Sequence, residues 1–177
     1  VVVSEDGLVF TNHHCGFSSI QQHSSVEHDF LKDGFVAHTL QEELSNPELY
    51  VRFLLRTEDV TKRVLAATKD ANTESERKVA IDSMMVVISD EVSKNDSTLT
   101  GVVDAYYAGN EFWLSVYRDY NDVRLVFAPP SSVGKFGWDT DNWVWPRHTG
   151  DFAVFRIYAG KDNRPADYSP DNVPYHP

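Results

Sequence analysis

Cysteine is almost missing from this chain: Cys15 is the only one in 177 residues. No disulfide can form within it, and a free thiol packed as a small hydrophobe is the ordinary expectation for such a residue. Positive charge is scarce as well, with 16 Lys and Arg against 27 Asp and Glu and a formal net charge of −11. So acidic a surface repels phosphate backbones and anionic lipid heads, which argues against nucleic-acid and membrane-surface partners. No apolar run reaches the roughly 18 residues of a membrane span. An initiator Met and a basic-then-apolar leader are absent, so no targeting segment is visible. The opening Val1-Val2-Val3 reads as the inside of a strand, as if cut from a longer chain. Gly134-Lys135-Phe136-Gly137 lacks the spacing of a phosphate-binding loop, and there is no internal repeat. What is present is ordinary for a folded domain: 41% hydrophobic and 12% aromatic residues, enough chain for one core or for a small domain with an insertion.

The apolar pattern changes along the chain. Val1 to Asn12 reads as a β-hairpin turning at Ser4-Glu5-Asp6-Gly7. Residues 17 to 50 show little periodicity and read mainly as loop with short helical turns, and Val51 to Leu55 reads as a strand. Glu58 to Lys69 has helical spacing. Thr73 and Glu76 form a capping-box pattern, followed by Ile81, Met84, Met85, Ile88 and Val92 on one helical stripe, which predicts an amphipathic helix from about Glu74 to Ser93. A core-facing stripe is the simpler reading of those methionines than a ligand groove. Period two then takes over. Val102 to Ala108, Glu111 to Tyr117 and Val123 to Ala128 predict a three-stranded antiparallel meander. Pro129-Pro130 ends it, residues 131 to 150 read as a Gly-, Trp- and Asp-rich loop, and Asp151 to Tyr158 as one more strand.

Two stretches carry chemistry. Thr11-Asn12-His13-His14-Cys15-Gly16 places a His before a Cys at the end of an apolar strand, the way trypsin-like hydrolases present their general base. Gly150-Asp151-Phe152-Ala153-Val154-Phe155-Arg156-Ile157 opens an apolar strand with an Asp, the way they present the carboxylate that orients it. A Ser hydroxyl is a poor nucleophile at neutral pH and needs both groups. His14 is the candidate base and Asp151 the candidate orienter. His13 reads as the structural member of the pair, with a base role left open to it. The order His, then Asp, fits the trypsin arrangement with Ser last, but no Gly-x-Ser-Gly turn is present, so the nucleophile is expected to be lost to truncation. The two candidates lie 137 positions apart, too far for one minimal barrel. The excess predicts an insertion of roughly 70 to 90 residues outside the barrel, centred on the helical pattern.

Duller readings exist for each group: a structural histidine for His14 and a strand-end cap for Asp151. A zinc module is a third reading, because His13, His14, Cys15, His23, His28 and His38 fall close together and zinc accepts such ligands. The spacing is loose, without Cys-x-x-Cys or His-x-x-x-His. A catalytically inactive peptide-binding domain of protease-like shape is the alternative from a different functional class. No cofactor is implied.

The chain resembles the bacterial dipeptidyl-peptidases 7 and 11, exopeptidases with a chymotrypsin-like catalytic domain. The resemblance rests on Thr11 to Gly16, on Val123-Arg124-Leu125-Val126-Phe127-Ala128-Pro129-Pro130-Ser131, and on the long match from Gly134 through Asp139-Thr140-Asp141-Asn142-Trp143-Val144-Trp145-Pro146-Arg147-His148-Thr149-Gly150-Asp151. It covers nearly the whole chain and is weakest over 66 to 100. It implies a mainly β fold with a helical insertion at about 56–100, residues 1–177 forming part of a trypsin/chymotrypsin-like double β-barrel (its first barrel). It implies His14 and Asp151 as base and orienter, Asn142 and Trp143 as the holders of a substrate's N-terminal amine, peptides with free N-termini as substrates, and a parent homodimer exported to the periplasm or cell surface of a Gram-negative bacterium. Amide oxygens, carboxylates and an indole face all bind an ammonium, which suits Asp139 to Trp143 to amine recognition. Trp packing and Asp turns are the plainer account of the same loop.

Overall fold

A computed structural model describes residues 1–137 and 143–177. They form two compact units, residues 1–51 with 120–177 and residues 52–119. Residues 56–100 fall inside the second.

The first unit is built on an antiparallel sheet. Its strands are β1 (Leu8–Thr11), β2 (Phe35–Val36), β3 (Leu44–Ser45), β7 (Asp122–Ala128), β8 (Ala153–Ala159) and β9 (Val173–Pro174). The hydrogen-bonded order is β1-β8-β7-β2, with β3 also on β7 and β9 also on β8. The expected first barrel is therefore an open antiparallel sheet among the described residues. The predicted N-terminal hairpin is present in reduced form: Val2 bridges Val9, and Gly7 makes the turn at φ +68°, a conformation that favours glycine.

On one sheet face, Val123, Leu125, Ala128, Ala153 and Phe155 bury against Ile20 of helix α1 (His13–His23). Phe30 and Leu31 of α2 (Phe30–Asp33), with Phe35, Leu44, Leu49 and Val51, pack around them. Helix α1 corrects the loop expected after residue 17. Its buried side is His13, Gly16, Ser19 and Ile20, so small residues carry the helical period, and a search for apolar side chains misses it. A methyl on Gly16 would stand 3.1 Å from the Phe155 ring and 3.5 Å from Ala153 Cβ, so the helix lies almost on the sheet. Cys15 is exposed, not packed as a small hydrophobe.

The opposite face is polar and also buried. Arg124 makes paired bonds to Asp122 at 2.9 and 2.7 Å and lies 3.7 Å over the Tyr158 ring. Glu43 takes Arg156 Nε and the Tyr158 hydroxyl. Burial, then the Glu43 carboxylate that accepts its hydroxyl, push the Tyr158 ionisation upward, so it stays a neutral donor.

The second unit holds β4 (Val51–Asp59, its first residue in the other unit), β5 (Leu99–Tyr106) and β6 (Glu111–Tyr120) in the order β4-β6-β5. Helix α3 (Thr61–Ala66) and the 22-residue helix α4 (Glu74–Asn95) cover it. Of the predicted stripe on α4, Ile88 and Val92 are buried and Ile81, Met84 and Met85 pack half-buried against the same core of Val64, Val103, Phe112, Leu114 and Val116. Both halves of the Thr73–Glu76 capping box form. The segment from Glu58 is strand to Asp59 before α3 begins at Thr61, whose N–H bonds Asp59 Oδ1 at 2.9 Å.

The predicted meander is only two-thirds right. β5 and β6 pair, from Leu99–Arg118 to Tyr106–Glu111. β7 joins β8 in the other sheet. Tyr120-Asn121-Asp122 therefore does not close a hairpin between β6 and β7. Val123 and Leu125 are drawn to the α1 side of the first unit, where Ala153 and Phe155 complete their burial.

Candidate active site

The site begins with a helix end. The first N–H groups of an α-helix have no partner within the helix, and the Asn12 side chain does not cap its own helix. The cap comes instead from across the sheet. β1 pairs with β8, Thr11 opposite Ala153, which brings the residues just after β1 beside those just before β8. The Asp151 carboxylate then meets the start of α1. Its Oδ1 accepts the His14 backbone N–H at 3.1 Å. Its Oδ2 accepts the Asn12 side-chain amide at 3.0 Å and contacts His14 Nδ1 at 2.7 Å. A carboxylate there also complements the positive end of the helix dipole.

Asp151 lies two residues ahead of the strand it was expected to open. Thr149 and Gly150 hold it in place. Thr149 Oγ1 donates to the carbonyls of Val133 and Gly134, and the Gly150 N–H donates to Val133 at 3.0 Å. The Phe152 N–H turns back to the Gly150 carbonyl at 2.8 Å. Val133 and Gly134 belong to the single helical turn α5 (Ser131–Gly134).

The electrostatics follow from these contacts. Burial works against the Asp151 charge and is the largest influence. The His14 backbone N–H, the His14 ring and the Asn12 amide together outweigh it and hold the carboxyl below its ordinary value. The Asp151 side chain is 11% exposed and that of His14 51%, so the carboxylate is sheltered while the imidazole reaches solvent. With Asp151 accepting at Nδ1, the proton of the neutral ring belongs on Nδ1. Nε2 then carries a free lone pair and makes no hydrogen bond among the described residues. That is the arrangement of a general base with its orienter.

Asn12 is the member that sequence reasoning passed over, although it stands inside the quoted motif. Trp143 is 87% exposed. Asn142 lies outside the described residues. For the zinc reading, His23 Nε2 meets Asn46 Oδ1 at 3.1 Å, and no three His, Cys, Asp or Glu side chains among the described residues converge as metal ligands. An open pocket of about 690 Å³ lies between Phe17, Leu31, Ser131, Lys135 and Phe136.

The His14–Asp151 pair thus sits at the start of a helix on an antiparallel sheet, and comparison with known proteins gives the class: the peptidase S46 family model matches residues 1–177, and the chain belongs to that family. Among its relatives, dipeptidyl-peptidase 7 of Porphyromonas endodontalis is 55% identical over 177 residues, covering 100% of this chain and 22% of its own length. The Asp/Glu-specific dipeptidyl-peptidase of Capnocytophaga gingivalis is 52% identical, covering 99% of this chain and 25% of its own. A crystal structure of Porphyromonas endodontalis DPP11 with the dipeptide Arg-Glu superposes with a TM-score of 0.89 at 46% identity, over 100% of this chain and 26% of that one. The chain thus spans about a quarter of the length of these relatives.

Proposed function

We propose that this chain supplies the general base and the orienting carboxylate of a serine-type dipeptidyl-peptidase that releases dipeptides from the free N-termini of peptides. The observation that carries the reading is the 2.7 Å contact between His14 Nδ1 and Asp151 Oδ2, in a chain whose relatives bear dipeptidyl-peptidase names. The nucleophilic Ser is assigned to the part of such proteins that this chain does not span, and with it the second barrel that would complete the trypsin-like architecture.

The chemistry then runs through His14. As the Ser oxygen bonds to the scissile carbonyl carbon, Nε2 takes the hydroxyl proton, and Asp151 stabilises the imidazolium from the other side. The imidazolium gives that proton to the leaving amine as the C–N bond breaks. Water, deprotonated by the same nitrogen, then attacks the acyl-enzyme carbonyl; the ester C–O bond breaks, Nε2 returns the proton to the Ser oxygen, and the dipeptide is freed. Asn142 accepts a hydrogen bond from the substrate's N-terminal ammonium, and Trp143 offers its ring or backbone beside it. The parent is a homodimer, exported to the periplasm or cell surface.

The test uses the full-length protein with peptides whose N-termini are free or acetylated. Dipeptides should appear much faster from the free ones, the acetylated ones being poor substrates. Asn142→Ala leaves the ammonium short of one acceptor, a loss of about 1.5 to 3 kcal/mol. That corresponds to roughly a 10- to 150-fold drop in kcat/KM on free substrates, with a smaller drop on blocked ones. Equal drops on both would make Asn142 structural, and cleavage that ignores the N-terminus would defeat the dipeptidyl reading.

A further inference from the structure

His13, the neighbour of the dyad histidine, is fully buried, and neither ring nitrogen has a partner in good hydrogen-bond geometry among the described residues, the Pro129 carbonyl acting on the ring only as a minor influence on its charge. Burying polar nitrogens in that way costs free energy that an apolar side chain of similar size avoids. Simple filling of the core does not account for a histidine here.

Its surroundings do. A Cβ built on Gly134 would stand 2.5 Å from His13 Cγ and 2.6 Å from Cδ2. The imidazole is therefore pressed against the backbone of α5, and only glycine above it leaves room. Phe17 closes another side, its ring 6.3 Å away edge-on. From Gly134 the contacts continue toward Asp151. The Val133 and Gly134 carbonyls hold the Thr149 hydroxyl at 3.1 and 3.0 Å, and Val133 holds the Gly150 N–H. A Cβ on Gly150 would come within 2.9 Å of Val133 Cγ1. Asp151 is the next residue, and His14 directly follows His13. The packing of His13 on Gly134 thus links the segment that carries His14 to the one that carries Asp151.

We propose that His13 is a positioning residue: its ring, wedged under Gly134, sets the α5 turn and, through Thr149 and Gly150, the reach of the Asp151 carboxylate to His14. The inference rests on the reading of His14 and Asp151 as base and orienter. The charge balance around the ring agrees with it. Burial disfavours the imidazolium most strongly, Lys135 and His14 add to that, and Asp151 and the Pro129 carbonyl oppose it. The ring is held on the neutral side and does not compete with His14 for the carboxylate.

The experiment compares Gly134→Ala, His13→Ala and the double variant in the full-length protein, with Thr149→Val as a variant that adds no bulk. Three quantities are read: kcat/KM against pH, the melting temperature, and the far-downfield proton resonance of the His14–Asp151 hydrogen bond. Misplacing a reacting group by about 1 Å costs on the order of 100-fold. Gly134→Ala should lose about that much, mostly in kcat. The acidic limb of kcat/KM should move to lower pH, because an imidazolium displaced from a carboxylate loses its proton more readily. Thr149→Val should move the limb the same way with a loss of about tenfold, taken as a milder displacement. In the His13→Ala background the added methyl has room, so Gly134→Ala should cost about tenfold less there than alone.

A merely structural role would lower the melting temperature and leave the limb in place. An unmoved limb, or the same Gly134→Ala cost with and without the His13 ring, overturns the proposal. If the unsubstituted protein releases no dipeptides, the functional reading fails by itself. The downfield resonance still decides on positioning: its loss in Gly134→Ala or Thr149→Val supports the wedge, and its persistence in both refutes it.

Discussion

Asp151 accepts three hydrogen bonds with two oxygens, from the backbone of His14, the ring of His14 and the amide of Asn12. The first caps a helix, the second fixes a tautomer and the third fixes the carboxylate itself. Asp151→Asn keeps the shape but points an NH₂ at donors, so the imidazole settles in the wrong tautomer. In the full-length protein kcat should fall by about 10⁴, the loss familiar for that substitution in a Ser-His-Asp triad. Asn12→Ala removes one charge-assisted bond worth about 1.5 to 3 kcal/mol, partly replaced by water. We expect roughly a tenfold loss in kcat/KM, and an unchanged rate would remove Asn12 from the site. The depressed Asp151 ionisation also has a stability consequence. A group whose folded value lies below its unfolded one stabilises the fold above the unfolded value, and that contribution is lost as pH falls through the folded value. Acid unfolding should therefore steepen below the ordinary carboxyl value of 3.8. Asp151→Asn should show a shallower fall there, and equal slopes would mean that its bonds carry no net stability.

Helices here depend on their ends and on glycine contacts as much as on apolar stripes. α4 begins with a complete capping box. Thr73→Ala should cost about 1 kcal/mol, seen as a lower urea midpoint with an unchanged slope. At its other end α4 lies against β5, where a Cβ on Gly101 would stand 2.8 Å from Val92 Cγ2 and 2.9 Å from the Ser89 carbonyl. The backbone oxygen cannot rotate away, so Gly101→Ala forces helix and strand apart. Such overpacking costs about 1 to 3 kcal/mol, and a midpoint equal to that of the unsubstituted protein would show that α4 shifts freely. α1 follows the same logic, with Gly16 and Ala153 allowing the helix to lie on the sheet and carry His14 to Asp151.

The molecule as a whole is two units, each with its own apolar core. The first also depends on the buried ion pair of Arg124 with Asp122, joined by Asn172 and the Ser169 carbonyl. Arg124→Ala strands a carboxylate that is only 1% exposed. Breaking a buried pair in this way costs about 3 to 5 kcal/mol. Thermal unfolding should show that loss, and Asp122→Asn in the same background should return part of it. At this scale too, the proposed assignment of the nucleophilic Ser to a part outside this chain predicts that the 177 residues alone neither release dipeptides nor react with a fluorophosphonate, since a base and an orienter without a nucleophile form no acyl-enzyme. Specific labelling of any Ser in this chain would refute that.

Local chemistry was enough to expose several features of this protein in its sequence. The α4 helix is written in a capping box and a 3.6-residue apolar period, both short-range signals. His14 and Asp151 could be singled out because each sits in a distinctive run of neighbours. What the sequence did not contain is set by contacts between distant segments. α1 hides its period in Gly16 and Ser19, and Gly16 packs closely only because β8 presents Ala153 and Phe155. β7 leaves the meander because its apolar face completes the core under Ile20, a choice that local alternation cannot register. The bond between His14 and Asp151 itself spans 137 positions and exists only because β1 pairs with β8 and the start of α1 needs a partner for its N–H groups.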